Sequence, residues 1–341
     1  MKLSEIHITP LLETLRFEDI DDETYFSEKY SGYVSNSRLS RINPDQDGSP
    51  EKFFNGTLGL YTDSIVFGSA IHELVLQPEN FELNEKANRP TAKAGFMADE
   101  IYKTYKVNGN IKEALYKASD KINYYKGKLT ETRINKLLEQ CESYWKDRLN
   151  FEQNNTSDKI QIYLDEKSKE RLKSCLKAIN KNDKIQKLLH PIGLVENPIN
   201  GYEKAILLDV EVSFDDKTIK PFILRLKSKL DNYTIDKENN TIFVNDLKTH
   251  GSILSEFDNA IEKYHYYREM SMYSWLLSFV AKNYYNMNNP IIKSNFLVVE
   301  TIPEFYTKIS PMNSKLFKKG FDEFKRLLKL VAFYKVNGYD F

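Results

Sequence analysis

Asp246 and Lys248 close an apolar run, Val244-Asn245-Asp246-Leu247-Lys248-Thr249, at the spacing Asp-x-Lys. In an extended strand side chains alternate, so that spacing puts a carboxylate and an ammonium on one face. Such a carboxylate can hold a hard divalent cation and the ammonium can steady a phosphate, a combination suited to hydrolysing a phosphodiester. The bare pair is a weak signal, because most strands of this kind simply offer both groups to water. Asp231 after Leu230, and His72 within Gly68-Ser69-Ala70-Ile71-His72, add distant candidates.

Phosphodiester hydrolysis requires a hydroxide in line with the leaving oxygen and a counter-charge for the non-bridging oxygens. A divalent ion held by carboxylates meets both needs, and Asp231 and Asp246 are the natural ligands. If the strand ending at Asp231 pairs with the strand ending at Lys248, both carboxylates reach one edge of a sheet. The backbone carbonyl of Leu247 then points toward the same ion, and Lys248 orients the water or stabilises developing charge. Glu203 is placed to add a further carboxylate; Glu196 and Glu211 compete for that role, and the Tyr202-Glu203 context favours Glu203. His72 alone reads as an ordinary core histidine of an apolar helix. His250 reads most simply as a strand end. Arg225, Lys227 and Lys229 suit phosphate contact, and solvent-facing alternation explains the two lysines equally well.

The elements that must position these groups follow from hydrophobic period. After a mixed, turn-rich first sixty residues, apolar residues over Ile65 to Leu76 indicate a largely buried helix carrying His72. Helical patterning fills Ala94 to Leu189: Met97 to Tyr105, Ile111 to Ala118, Thr130 to Phe151, and Glu166 to Leu189 with a break near Asn182-Asp183. After Pro198 the texture turns to strand. Glu203 to Phe214 and Ile219 to Leu230 form a hairpin, and Thr241 to Lys248 is a third strand. Phe257 to Tyr285 reads as one long aromatic helix, Ile291 to Thr301 as a strand with Phe305 to Ile309 beside it, and Lys315 to Tyr334 as a closing amphipathic helix. This order of helices, three strands, helix and strand points to a mixed sheet flanked by helices.

The 341 residues and their 41% hydrophobic content support a substantial core. With 49 basic and 49 acidic residues the chain carries no general positive coat for nucleic acid, so any phosphate-following face must be local, as in the lysine-rich stretch Lys159 to Lys187. Glu13 to Glu28 is acidic. Only two cysteines occur, Cys141 and Cys175, far from other ligands, which excludes a zinc ribbon or a four-cysteine iron–sulfur cluster within the chain. The N-terminus lacks a signal-peptide pattern and no apolar run has the length of a membrane span, so the expectation is a soluble, cytoplasmic protein of a bacterial or phage-infected cell.

Taken in order, Ser35-Asn36-Ser37 with Ser49-Pro50-Glu51-Lys52-Phe53, Gly68 to Leu74, Tyr202-Glu203, Lys227-Ser228-Lys229-Leu230-Asp231, Asp246-Leu247-Lys248-Thr249 and Tyr267 to Tyr273 resemble the RecB-like and RecE-like branch of the PD-(D/E)xK nucleases. The resemblance is to phage and prophage exonucleases that resect DNA for recombination. It implies an α/β (α+β) fold with a restriction-endonuclease-like mixed sheet, a mostly helical region over 1–194 contributing the His72 helix, and a nuclease core with a C-terminal helix over 195–341. It implies that His72, Asp231, Asp246 and the Leu247 carbonyl bind Mg²⁺ or Mn²⁺ and that Lys248 is the catalytic lysine. The family's Gln-x-x-x-Tyr on the following helix is represented by Glu269 and Tyr273; a carboxylate at 269 repels phosphate unless it faces a cation, and both residues also fit an ordinary aromatic core helix. The implied partners are duplex DNA ends and a single-strand annealing protein, with oligomers compatible and no membrane. The cysteine cluster of CRISPR-associated and AddB-type relatives is absent. Two other readings stay open: a nuclease-derived protein that grips or scaffolds DNA ends without cutting, and an endonuclease or RNA nuclease of the same fold.

Overall fold

The computed structural model describes residues 2–56, 62–108, 110–122, 124, 128–155, 157–191 and 195–338. The chain begins with β1 (Ile6–Asp19) and three short helices, α1 (Asp22–Tyr25), α2 (Asn36–Ser40) and α3 (Pro50–Phe54). Then come α4 (Asp63–Leu76), β2 (Phe81–Leu83), α5 (Ala92–Asn108), α6 (Ile111–Ile122), α7 (Glu131–Asn154), β3 (Ile160–Ile162), α8 (Glu166–Lys181) and α9 (Asp183–Leu189). The second half runs β4 (Ile199–Phe214), β5 (Phe222–Asp236), β6 (Thr241–His250), α10 (Phe257–Lys263), α11 (Tyr266–Tyr285), β7 (Ile291–Glu300), β8 (Thr307–Pro311) and α12 (Ser314–Asn337).

Two compact units emerge: Met1–Leu58 with Ile179–Glu300 and Tyr306–Phe341, and Gly59–Ala178 with Thr301–Phe305. The division expected after Leu194 falls on residues 192–194, outside the described residues. In the second unit α5, α6 and α7 enclose Met97, Ile101, Leu115, Leu137, Cys141 and Tyr144, while β2 and β3 pair in parallel. Cys141 is thus a core residue, its thiol pushed up to about 12 by burial and then by the nearby Asp99 charge.

The first unit is built on a six-stranded sheet of order β1-β4-β5-β6-β7-β8. All neighbours are antiparallel except β6 and β7. Parallel neighbours need a crossover, and α10 with α11 supplies it. The expected mixed sheet flanked by helices is what forms. Its apolar core unites Val210, Leu226, Val244, Phe296 and Val298 of the strands with Met270, Leu277, Leu327 and Val331 of α11 and α12.

Three details bear on what the sheet can hold. Asn232 faces Asn245, and Asn245 faces Asn295, so amides run across β5, β6 and β7. Asn245 Nδ2 donates to Asn232 Oδ1 at 2.7 Å, Asn295 Nδ2 donates to Asn245 Oδ1 at 3.0 Å, and Asn232 Nδ2 donates to Asn200 Oδ1 at 3.1 Å. A buried amide row of this sort satisfies itself only in one register, which penalises any slip between these strands. Second, Arg268 of α11 is fully buried, bonded to Glu323 of α12 at 2.7 Å and to Asn36 and Ser40 of α2 at 2.8 and 2.6 Å. Third, α12 meets α11 at Gly320, where an added Cβ would run into the Tyr267 carbonyl and Ser271 Oγ.

Two expectations need correcting. The single helix over Phe257 to Tyr285 is two, because His265 turns into the left-handed region at φ 54°. Its imidazole sits 2.9 Å from Glu323 Oε1 and 2.9 Å from the Tyr267 hydroxyl, polar contacts that hold the turn. The segment read as turn-rich contains β1, a 14-residue strand. Pro10 in that strand is tolerated because β1 is an edge strand.

The close approach at Gly320 yields a stability test. Gly320→Ala forces α11 and α12 apart and should cost about 1–3 kcal/mol, the range for overpacking. Urea unfolding should show a lower midpoint with an unchanged slope; an unchanged midpoint would mean the helices can part freely.

Candidate active site

Asp231 stands where the sheet's ladder is interrupted on both sides. The β5–β6 register ends with Asn232 opposite Asn245, whereas β6 stays paired with β7 as far as His250 opposite Glu300. The two strands therefore fork at Asp231 and Asp246. The Leu247 N–H, which a continued ladder would have satisfied, donates to Asp231 Oδ2 at 2.7 Å. In a strand a residue's N–H and C=O face the same neighbour, so the Leu247 carbonyl opens toward the fork as well.

On the other side the β4–β5 register passes from Tyr202 opposite Asn232 to Lys204 opposite Leu230, skipping over Glu203 and Asp231. Glu203 has φ 48°, a left-handed backbone that costs a non-glycine residue in a strand on the order of 1–3 kcal/mol. That distortion re-aims its side chain. Glu203 and Asp231 each offer a carboxylate oxygen within 4.8 Å of the other. Glu196 is exposed at a bend and Glu211 faces Ile223 farther along β4. Of the three upstream acids, Glu203 is the one set against Asp231.

Lys248 is clamped between two acids. Its Nζ lies 3.0 Å from Asp246 Oδ1, 2.8 Å from Asp246 Oδ2 and 3.0 Å from Glu269 Oε2. The Tyr273 hydroxyl, one turn along α11, donates to Glu269 Oε1 at 3.1 Å, and the Tyr266 ring centre lies 4.9 Å from Nζ. Glu269 and Tyr273 thus face the Asp-x-Lys pair.

Crowded acids in a dry place resist ionising. Burial, with Asp231 next, raises the Glu203 carboxyl to about 8. Burial raises Asp246 to about 8 as well, with Lys248 opposing and Asp231 and Glu269 adding to the rise. Asp231 goes up to about 6, burial being offset by Lys248 and the Leu247 N–H. Glu269 is the exception: burial pushes it up, but Lys248, the Tyr273 hydroxyl and Arg268 together hold it below the usual range. Burial works against the Lys248 charge too, yet Asp246, Glu269 and Asp231 outweigh it and raise its pKa.

The two lysines of β5 are turned inward. Lys229 pairs with Asp22 of α1 and with Glu203 at 3.3 Å. Lys227 is 7% exposed, donates to the Tyr25 carbonyl at 2.7 Å and lies over the Tyr25 ring at 4.3 Å. Arg225 is exposed beside Tyr33, and His250 packs edge-on to Phe257. His72 lies on α4 in the other compact unit, where it is half-buried.

Asp22 and Tyr25 were not singled out from sequence. Tyr25 is buried, and its hydroxyl is pushed up by burial and then by the charges of Glu269, Asp22 and Glu203. The acidic run Glu13 to Glu28 was the only trace of them. No local pattern ties a residue at 22 to one at 229.

An ion fits this chain's donors on two observations. The groups gathered at the fork, the Asp231, Asp246 and Glu203 carboxylates and the Leu247 carbonyl, offer oxygens, which suit a hard divalent cation. Asp246 Oδ2 is buried and, although near Lys248 Nζ, receives no hydrogen bond.

No family model and no curated protein matches the chain. Among solved structures, the chain is similar to the crystal structure of a "Putative exonuclease" from Eubacterium rectale at 10% identity and a TM-score of 0.41, covering 92% of this chain and 87% of that one. Likeness at that level carries no argument about activity. No helix among the described residues is long and apolar enough to cross a membrane.

The raised Glu203 carboxyl gives a pH test. A group whose folded pKa lies above its ordinary 4.5 stabilises the fold at low pH and loses that contribution as pH climbs toward about 8. With a chelator present, Glu203→Gln should therefore gain on the wild type between pH 5 and pH 8.5, by on the order of a few kcal/mol. Parallel melting curves for the two proteins across that range would refute the buried, strained placement of Glu203.

Proposed function

We propose that this chain is a divalent-metal-dependent deoxyribonuclease of the PD-(D/E)xK kind, an exonuclease acting on duplex DNA ends in phage-type recombination or repair. The observation that carries the reading is the fork between β5 and β6, which gathers Asp231, Asp246 and Lys248 from separate strand positions. The ordered resemblance across the chain supports the same choice and adds His72 as a further ligand.

Asp231, Asp246 and the Leu247 carbonyl would hold Mg²⁺ or Mn²⁺, with Glu203 a further carboxylate beside Asp231. The ion, when bound, supplies a Lewis acid and an acidified water. This chain's own residues do the rest. Lys248 presents a permanent ammonium to the non-bridging phosphate oxygens. The Tyr266 ring, 4.9 Å from Nζ, keeps bulk water from screening that charge. Lys229 offsets Glu203 and Asp22, so the added acids do not repel the DNA unopposed.

Linear duplex DNA incubated with the purified chain and Mn²⁺ should lose nucleotides from its ends, and a chelator should stop the reaction. Lys248→Ala should slow it by about 10²–10³, the usual cost of removing one charge-stabilising donor. Asp231→Asn should weaken Mn²⁺ binding by calorimetry, and His72→Ala should do so to a smaller degree. Undiminished cutting by Lys248→Ala would sink the assignment, and Mn²⁺ binding without any cutting would favour a scaffold that only grips DNA.

A further inference from the structure

Lys248 has two carboxylate partners, and the chemistry just proposed requires one of them elsewhere. An ion bound by Asp246 draws on the same oxygens that now hold Nζ at 2.8 and 3.0 Å. A lysine on a four-carbon stem with no remaining partner would sample many rotamers, at an entropy cost for each return to its working position. Glu269 is so arranged that this does not happen.

We propose that Glu269 is the positioning residue of the site: it keeps the Lys248 ammonium aimed when Asp246 is committed to the ion, and it neither ligates the ion nor touches DNA. Three features support this. Its two oxygens have separate partners, Oε2 facing Nζ at 3.0 Å and Oε1 accepting from the Tyr273 hydroxyl at 3.1 Å. Tyr273 is four residues further along the same helix, so the carboxylate's orientation is set within α11 and does not depend on the ion or the substrate. The helix in turn cannot rotate, because the neighbouring Arg268 is fully buried and bonded to Glu323 of α12, to Asn36 and Ser40 of α2, and to Gln46 at 2.9 Å. A rigid helix, a hydroxyl, a carboxylate and an ammonium thus form one chain of supports. The carboxylate would repel phosphate if it faced the groove, but here it is spent on a cation.

This inference rests on the nuclease reading, and its test separates the two. Single-turnover cleavage of linear duplex DNA with Mn²⁺, Mn²⁺ affinity by calorimetry, and DNA affinity by anisotropy in Ca²⁺ are compared for wild type, Glu269→Gln, Glu269→Ala and Tyr273→Phe. Glu269→Ala should lose about 10–100-fold in cleavage rate, the usual range for a group supporting a directly acting one. Glu269→Gln keeps an acceptor for Nζ and should fall between Ala and wild type, and Tyr273→Phe, which deletes one hydroxyl and leaves the core filled, should lose several-fold. Mn²⁺ and DNA affinities should stay within about threefold of wild type throughout, a split that general misfolding would not produce. A parallel fall in Mn²⁺ affinity would make Glu269 a ligand, a fall in DNA affinity would make it a DNA contact, and an unchanged rate would leave it no role; each overturns the proposal. A wild type that neither binds Mn²⁺ nor cuts overturns the nuclease reading and this one with it, whereas an active wild type beside an equally active Glu269→Ala overturns only this one.

Discussion

Three carboxylates share a buried space with one ammonium, and that imbalance governs the rest of the structure. Asp231, Asp246 and Glu269 cannot all be charged around Lys248 without paying a large desolvation cost, so two of them are pushed toward their protonated forms while Glu269 keeps its charge. A site in that condition is short of positive charge. A divalent cation relieves the shortage more fully than protons do, because it neutralises two acids at once and accepts their oxygens directly.

Holding such a site open against its own repulsion takes a stiff frame. The frame is the sheet, whose ladder breaks at Asp231 on both flanks, while the asparagine row that begins one residue away locks β5, β6 and β7 in register. Alternation does the sorting: the amides at 232 and 245 take one face, and the acids at 231 and 246 take the other. The left-handed turn of Glu203 belongs to the same pattern, strain held in place by a surround that offers no alternative. The crossover through α10 and α11 is equally necessary, since it delivers Glu269 and Tyr273 to a strand that lies beside β7 in the sheet.

Much of this was legible in the residues. The periods over 203–214, 241–248 and 291–301 located three sheet strands to within a few positions, and the Asp-x-Lys spacing named a pair the structure places side by side. What was hidden depends on distant contacts. The break at His265 rests on Glu323, 58 residues away, and no local propensity announces it. β1 escaped because an edge strand, free on one side, tolerates Pro10 and polar residues that argue against a central strand. Asp22 entered the site through Lys229, 207 residues later. Lys227 and Lys229 suited phosphate contact or solvent-facing alternation, and their burial against α1, 202 and 207 residues earlier, is a contact no local pattern announces.

The pairing of Ile6 with Phe214 sets an order of events during synthesis. When β1 leaves the ribosome its partner does not yet exist, and at about 5–20 residues per second the wait is roughly 10–40 seconds. The helices α5, α6 and α7 of the intervening stretch, which share a core of their own, can pack in that interval. The first strand therefore spends its early life as an unpaired edge, and Pro10 and its interspersed polar residues act as gatekeepers against pairing with a neighbouring nascent chain on the same message.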